Sequence, residues 1–367
     1  MNLTDLQRAI AIFAGVAGGA GLAAALADAA SPIYLGFFLA GLLTLLRFRV
    51  AMSLWVDGAL ALAGAAILVV SLPGFEETAP LHVWLALVAV WMFSWLFIEE
   101  LSFSITGGRL PERPLGLVIP LVFGLMLVFV WEVVTRGAQI PQVLLPPPST
   151  IWMRILDSVP ILFADFIQTF VKAVLSGYAM GCGAGFVVAI LVDRSPFLKR
   201  GLLPIGNFVS ALPIIGIAPI MVMWFGFDWP SKAAVVVAVT FFPMLVNTVA
   251  GLNESGHIER DLMRTYAANY WQTLLRLRLP MAMPFIFNAL KINSTLALIG
   301  AIVAEFFGTP IVGMGFRIST EVGKLNIDLV WAEIAVAAVS GSVFYAVIAL
   351  IERAVTFWHP SIRTGRT

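Results

Sequence analysis

Runs of apolar residues separated by short polar breaks repeat along almost the whole chain, and the breaks carry most of what distinguishes one region from another. The runs predict membrane-spanning helices at roughly 9–27, 32–46, 51–72, 82–102, 115–135, 161–192, 202–226, 231–252, 282–306 and 328–352. Each lies near the ~20 residues that a bilayer demands, the second being short. One break is far longer than the others: residues 253–280, NESGHIERDLMRTYAANYWQTLLRLRLP. It predicts two amphipathic helices, 258–267 and 270–279, parted at Ala268-Asn269. Glu259 and Asp261 stand in the first turn and Arg276 and Arg278 in the last, as the helix dipole prefers. Its apolar positions fall at helical spacing into two patches, Leu262, Met263, Tyr266 and Ala267, then Tyr270, Trp271, Leu274 and Leu275. Such a surface either docks on a protein or lies on lipid with Arg276 and Arg278 near anionic head groups.

Composition fixes the class. The chain is 60% hydrophobic and 12% charged, with a mean hydropathy of +0.97, which describes an all-α polytopic membrane protein. The single cysteine, Cys182, excludes an intrachain disulfide. A net charge of +1 gives no reason to expect nucleic acid as a partner, and the placement of the charges matters more. With both termini in the cytosol, 15 Lys and Arg fall inside and 5 outside (Arg136, Arg154, Lys232, Arg317 and Lys324), with Lys172 and Lys291 within spans. The positive-inside bias therefore makes the 253–280 insert cytosolic. The first span also resembles a signal peptide, with Arg8 and Ala25-Leu26-Ala27, but its run is longer than a usual signal core and reads as a retained span.

The chain divides by composition into a hydrophobic leader, 1–113, of about four spans, and a region, 114–367, that holds the longer spans and the motifs. The polar linker Thr106-Gly107-Gly108-Arg109-Leu110-Pro111-Glu112-Arg113 closes the leader. Pro146-Pro147-Pro148-Ser149 predicts a stiff external connector followed by an interfacial helix from Thr150.

The segment from Asp261 to Pro280 resembles the cytoplasmic loop of binding-protein-dependent ABC importer permeases, whose pattern is Glu-Ala-Ala, three residues, Gly, nine residues, Ile, one residue, Leu-Pro. Asp261 takes the acidic position, Leu262 and Met263 replace the alanines, and Ala267 stands for the glycine. Leu277 takes the isoleucine position, and Leu279-Pro280 closes the motif. Further stretches resemble the nitrate, sulfonate, taurine and thiamine-precursor branch in the same order. They are Leu144-Leu145-Pro146-Pro147-Pro148-Ser149, Leu212-Pro213, Ala218-Pro219, Trp224-Phe225-Gly226, Ser231-Lys232, Phe242-Pro243, Asn247-Thr248 with Gly251, and Ala304-Glu305 with Gly308, Gly313 and Gly315. The resemblance covers 114–360 and leaves 1–113 without a counterpart.

The resemblance implies a type I importer permease: a core of about six spans, here preceded by about four more, working as a homodimer in the bacterial inner membrane. Two ATPase subunits and a periplasmic or lipid-anchored solute-binding protein would complete it. It further implies that Asp261, Leu262, Met263, Tyr266, Ala267, Tyr270, Trp271, Leu274, Leu279 and Pro280 dock on the ATPase, so that nucleotide-driven closure moves the spans. ATP and Mg would sit on that subunit, since this chain has no G-x-x-x-x-G-K-[ST] loop. No cofactor or metal is expected on this chain, because His82, His257 and His359 are far apart and read as interfacial polar residues. Candidate pathway residues are Asn207, Ser210, Asn247, Thr248, Lys291 and Glu305. The four uncharged ones either face the pathway or bond between helices. Lys291 and Lys172 either line an anion path, snorkel, or pair with an acid such as Asp165. Glu305 either meets substrate or holds the glycine-rich loop after it. Asp57, Glu99, Glu100, Glu132 and Glu333 read as solvated span ends. A gradient-driven transporter or channel would instead require inverted repeats and a midplane charge site, and a membrane enzyme a cluster of catalytic groups.

Overall fold

The computed structural model describes residues 5–48, 53–72, 78–210, 213–308 and 311–358. The side chains of Arg113, Asn207 and Ser210, and all of Leu212 and His359, lie outside the described residues. Among the described residues the secondary structure is helical, and eight helices are long and apolar enough to cross a membrane. The chain forms two compact units, 1–152 and 153–367.

The first unit contains α1 (Asp5–Ala27), α2 (Pro32–Leu43), α3 (Leu54–Ser71), α4 (Leu81–Thr106) and α5 (Val118–Gly137). α4 packs against α1, α3 and α5, and its buried Val83, Val90 and Phe93 meet Ala14, Phe38, Leu68, Met126 and Val133 in one core. Small residues permit the closest approach: a Cβ on Gly21 would lie 2.2 Å from the Phe38 ring. His82, at the start of α4, is buried: its Nδ1 meets Asp28 Oδ2 at 2.8 Å and the Tyr34 ring packs edge-on against it. One acid expectation needs correction here, since Asp57 is buried rather than solvated. The linker read at 106–113 lies inside this unit, and α5 joins the core that α4 organises. The proline connector is tied to α5 by Glu132, which accepts from Ser149 N at 2.9 Å and Ser149 Oγ at 2.7 Å, while Arg136 Nη2 donates to Ser149 Oγ at 2.7 Å.

The second unit follows within α6 (Pro148–Asp157) and holds α7 (Val159–Arg194), α8 (Pro196–Ser210), α9 (Ile214–Phe225) and α10 (Trp229–Asn253). The insert supplies α11 (His257–Thr265). Then come α12 (Tyr270–Glu305), α13 (Met314–Gly323) and α14 (Ile327–Val355). α10 is the central helix and packs along both α7 and α12. Side chains also join the three. Asn293 Nδ2 donates to Thr240 O at 2.8 Å, and Tyr178 OH donates to Leu290 O at 3.0 Å. Interhelical bonds of this kind are worth about 0.6–2 kcal/mol in a membrane.

Two spans differ from the sequence expectation. The run at 202–226 is not one helix: α8 ends at Ser210, and α9 starts at Ile214 with Pro213 before it, since a residue that lacks an N–H and has its φ fixed opens a helix readily. The run at 32–46 is a twelve-residue helix followed by a 3₁₀ turn, Thr44–Phe48, and falls short of spanning length.

Candidate coupling surface and buried polar cluster

The 253–280 insert is built on a rigid base. Arg260 Nε donates to Ser255 Oγ at 2.7 Å and Nη2 to Asn253 O at 2.9 Å, which closes the turn between α10 and α11. α11 ends by two bonds that cap its last carbonyls, Ala268 N to Met263 O at 3.0 Å and Ala267 N to Arg264 O at 2.8 Å. That termination needs a left-handed residue, and Ala267 supplies it at φ +53°. Asn269 then caps α12 reciprocally with Gln272, at 2.8 and 2.9 Å.

One wider turn of π-helix, Leu274–Arg278, sets which way the side chains at the start of α12 face. It buries Leu274, 1% exposed, among Met244, Leu252, Ala282 and Ile286. It also brings Arg278 onto Asp193 at the end of α7, in a bidentate pair with distances of 2.7 and 2.6 Å. Arg278 Nε and Nη2 further donate to Leu252 O, and Tyr270 OH donates to Asp193 Oδ2 at 3.0 Å. The Arg194 guanidinium stands 5.7 Å from the Tyr270 ring centre. Three helices, α7, α10 and α12, are thereby joined at one point. Removing one partner of a buried ion pair costs about 3–5 kcal/mol.

The structure divides the ten residues expected to dock. Leu262, Tyr266 and Trp271 are exposed, with Ile258 and Leu275 beside them in the sequence pattern. Tyr266 is 78% exposed. Ala267 and Asp261 are exposed as well, and Met263 is half-buried. The Asp261–Arg264 pair, at 3.3 Å, stands in solvent and adds little. Leu274 and Tyr270 face inward, and Leu279 and Pro280 are half-buried where α12 leaves the insert. Asp193 was not singled out from the sequence. Its partner is 85 residues away, and its only local signal is an acid at the end of an apolar run.

A second polar assembly forms beyond the other end of α10. Three successive amides of the glycine-rich loop each find a different side chain: Gly313 N donates to Asp165 Oδ1 at 2.6 Å, Met314 N to Thr169 Oγ1 at 2.8 Å, and Gly315 N to Glu305 Oε2 at 2.7 Å. Thr169 Oγ1 donates in turn to Glu305 Oε1 at 2.7 Å, and Arg317 Nε to Asp165 Oδ2 at 2.8 Å. Burial pulls the Arg317 guanidinium down, but the Asp165 carboxylate outweighs it and holds it above its ordinary value. Gly315 has no room for a side chain, since a Cβ there would lie 2.2 Å from Ile302 O. Lys232 is buried beside this loop and donates to Phe227 O at 2.6 Å and to Gly308 O. Asp228 is held below the usual carboxylate range by Trp229 N and the Gln168 amide. Glu305 therefore spends both oxygens on this assembly. Glu333, expected at a solvated span end, is fully buried.

The remaining pathway expectations are placed separately. Lys291 pairs with Glu352 at 2.7 Å, joining α12 to α14, while Asp165 takes Arg317 instead. Lys172 donates to Gln168 Oε1 at 3.0 Å. Asn247 Nδ2 bonds to Pro243 O of its own helix at 2.8 Å, and Thr248 is fully buried. Among the described residues no group of His, Cys, Asp and Glu is arranged to hold a metal ion.

An exposed apolar surface on a frame that reaches three long helices is suited to passing a partner's movement into those helices. The sequence pattern of the family described as binding-protein-dependent transport system inner membrane component matches residues 181–357. The chain is 32% identical to the formylaminopyrimidine transport permease protein ThiX of Halalkalibacterium halodurans, over 65% of this chain and 95% of that protein. It is 27% identical to the riboflavin transport system permease protein RibX of Chloroflexus aurantiacus, over 67% of this chain and 91% of that one. It is 26% identical to the taurine transport system permease protein TauC of Escherichia coli, over 68% of this chain and 94% of the relative. Each of these alignments leaves about a third of the present chain unmatched.

Proposed function

The chain belongs to the family of binding-protein-dependent transport system inner membrane components, and on that premise we propose that it is the permease subunit of an ATP-driven importer. It moves a small solute across the bacterial inner membrane by alternating access. The class is a small anion, a sulfonate or a heterocyclic vitamin precursor, in keeping with the taurine, formylaminopyrimidine and riboflavin named for its relatives. The chain itself is not the enzyme: a separate ATPase subunit binds ATP and Mg, and a solute-binding protein delivers cargo on the outer side. The positive-inside bias supports cytosolic termini and a cytosolic insert.

The observation that carries this reading is the insert. Leu262, Tyr266 and Trp271 present apolar and aromatic surface on α11 and the start of α12, and the Asp193–Arg278 pair makes their base continuous with α7 and α10. An ATPase that grips the surface moves the helices as a body. A second copy of the chain completes the pathway. Exposed Phe197, Phe208, Ile215, Met223 and Trp224 on α8 and α9 support that pairing, as large apolar side chains on two short helices. Residues 1–113 are a leader outside the transport core.

Reconstitution tests the proposal. The chain, an ABC-type ATPase subunit and a solute-binding protein are placed in proteoliposomes. ATP hydrolysis should then rise when the binding protein is loaded with substrate. An assembled complex whose uptake follows an ion gradient and ignores ATP would overturn it.

A further inference from the structure

The polar cluster around Gly313, Met314 and Gly315 holds three buried acids, one of which no described donor reaches. Asp165, Glu305 and Glu333 are all buried, at 0, 2 and 0% exposed. The donors described around these acids are turned to Asp165, to Glu305 or to carbonyls. Gly313 N and Arg317 bond to Asp165, while Gly315 N and Thr169 Oγ1 bond to Glu305. Lys232 is turned to the carbonyls of Phe227 and Gly308. Among the described residues neither oxygen of Glu333 has a hydrogen-bond partner. A carboxylate enclosed in this way, without a donor, is too costly to keep.

The charged groups around Glu333 settle how it is accommodated. It faces Asp165 on α7, Arg317 on α13 and Glu305 on α12. Elsewhere on α13, Glu321 is occupied by Lys324 and Asn326, at 2.8 and 2.7 Å. On its own helix Asp328 pairs with Arg154 of α6 at 3.4 Å. Arg317 gives its Nε and Nη2 to Asp165, and the side chain set against Glu333 is the carboxylate of Asp165, so a bond between the two acids needs a hydrogen between them.

We propose that Glu333 and Asp165 form a proton-binding site, in which one proton held on Glu333 is donated to the Asp165 carboxylate while Asp165 anchors Gly313 and Arg317. The ligand is a proton taken from solvent, and nothing else is consumed. Two carboxyls in contact cannot both ionise cheaply, so sharing one proton is the ordinary solution. The consequence reaches beyond the pair. Release of the proton sets a second negative charge against the residue that tethers the glycine-rich loop, and so loosens the loop and the start of α13 together. This site stands apart from the coupling surface and does not depend on the transport reading.

Infrared spectroscopy of the purified chain in lipid tests it directly. At neutral pH the wild-type protein should show the carbonyl band of a protonated carboxyl, shifted in heavy water, and Glu333→Gln should remove it. An unaltered band in Glu333→Gln overturns the proposal. So does the absence of any such band from the wild-type protein, a result that needs no variant to fold.

Discussion

Ala267 shows what a single position costs. The pattern that the insert resembles has glycine there, and the structure gives the reason: the cap that ends α11 puts this residue at φ +53°. An L side chain in that region costs about 1–2 kcal/mol, of which glycine would return about 0.4–1 kcal/mol through its freer unfolded chain. Ala267→Gly should therefore stabilise the protein by about 0.5–1 kcal/mol and raise its unfolding midpoint in detergent. An unchanged or lower midpoint would mean that the cap is not formed under those conditions. Local signals of this kind were legible in the sequence, as were the glycines at 308, 313 and 315 and the acid at 305. The Asp193–Arg278 pair was not, because Arg278 satisfies a simpler local rule, a cation in the last turn of a helix, and 85 residues separate it from its partner. Glu333 was misread for a related reason. An acid near the start of an apolar run reads as a solvated end unless one knows that α7, α12 and α13 enclose it.

At the scale of elements, hydropathy located most of the long helices, because a bilayer imposes one length and one composition on all of them. It could not see a break inside an apolar run, so α8 and α9 merged into one span, and it could not see a change of helical phase. The second of these failures affects the coupling surface. Tyr270, Trp271, Leu274 and Leu275 form a single patch on an ordinary helix, yet the π turn and the packing below it send Leu274 and Tyr270 inward and leave Trp271 and Leu275 outside. Neighbouring residues should then fail in opposite ways. Trp271→Ala should leave the fold intact and weaken capture of the ATPase subunit by about 1–3 kcal/mol, as loss of an aromatic anchor does. Leu274→Ala should lower the unfolding midpoint through a cavity worth about 2–5 kcal/mol, with capture by the folded fraction retained. Pull-down from detergent together with thermal unfolding separates them. Full recovery of the ATPase by Trp271→Ala would remove Trp271 from the contact.

For the whole molecule the question is what the leader contributes. The proposed transport function rests on residues of the second unit: the Asp193–Arg278 base and the exposed face of α11 and α12. The alignments with the ThiX, RibX and TauC permeases each span about two thirds of this chain and nearly all of the relative, so a transport core exists without the remainder. Cutting at residue 107 would uncover the face of α5 that carries Met126 and Val133. In a bilayer that exchanges apolar neighbours for apolar lipid, a small loss compared with the same cut in water. Deletion of residues 1–107 should therefore lower yield or thermal stability while preserving ATP hydrolysis that responds to substrate-loaded binding protein in proteoliposomes. If the truncated complex assembles and hydrolyses ATP but no longer responds to substrate, the leader takes part in the transport cycle itself, and the core must be redrawn to include α1 to α4.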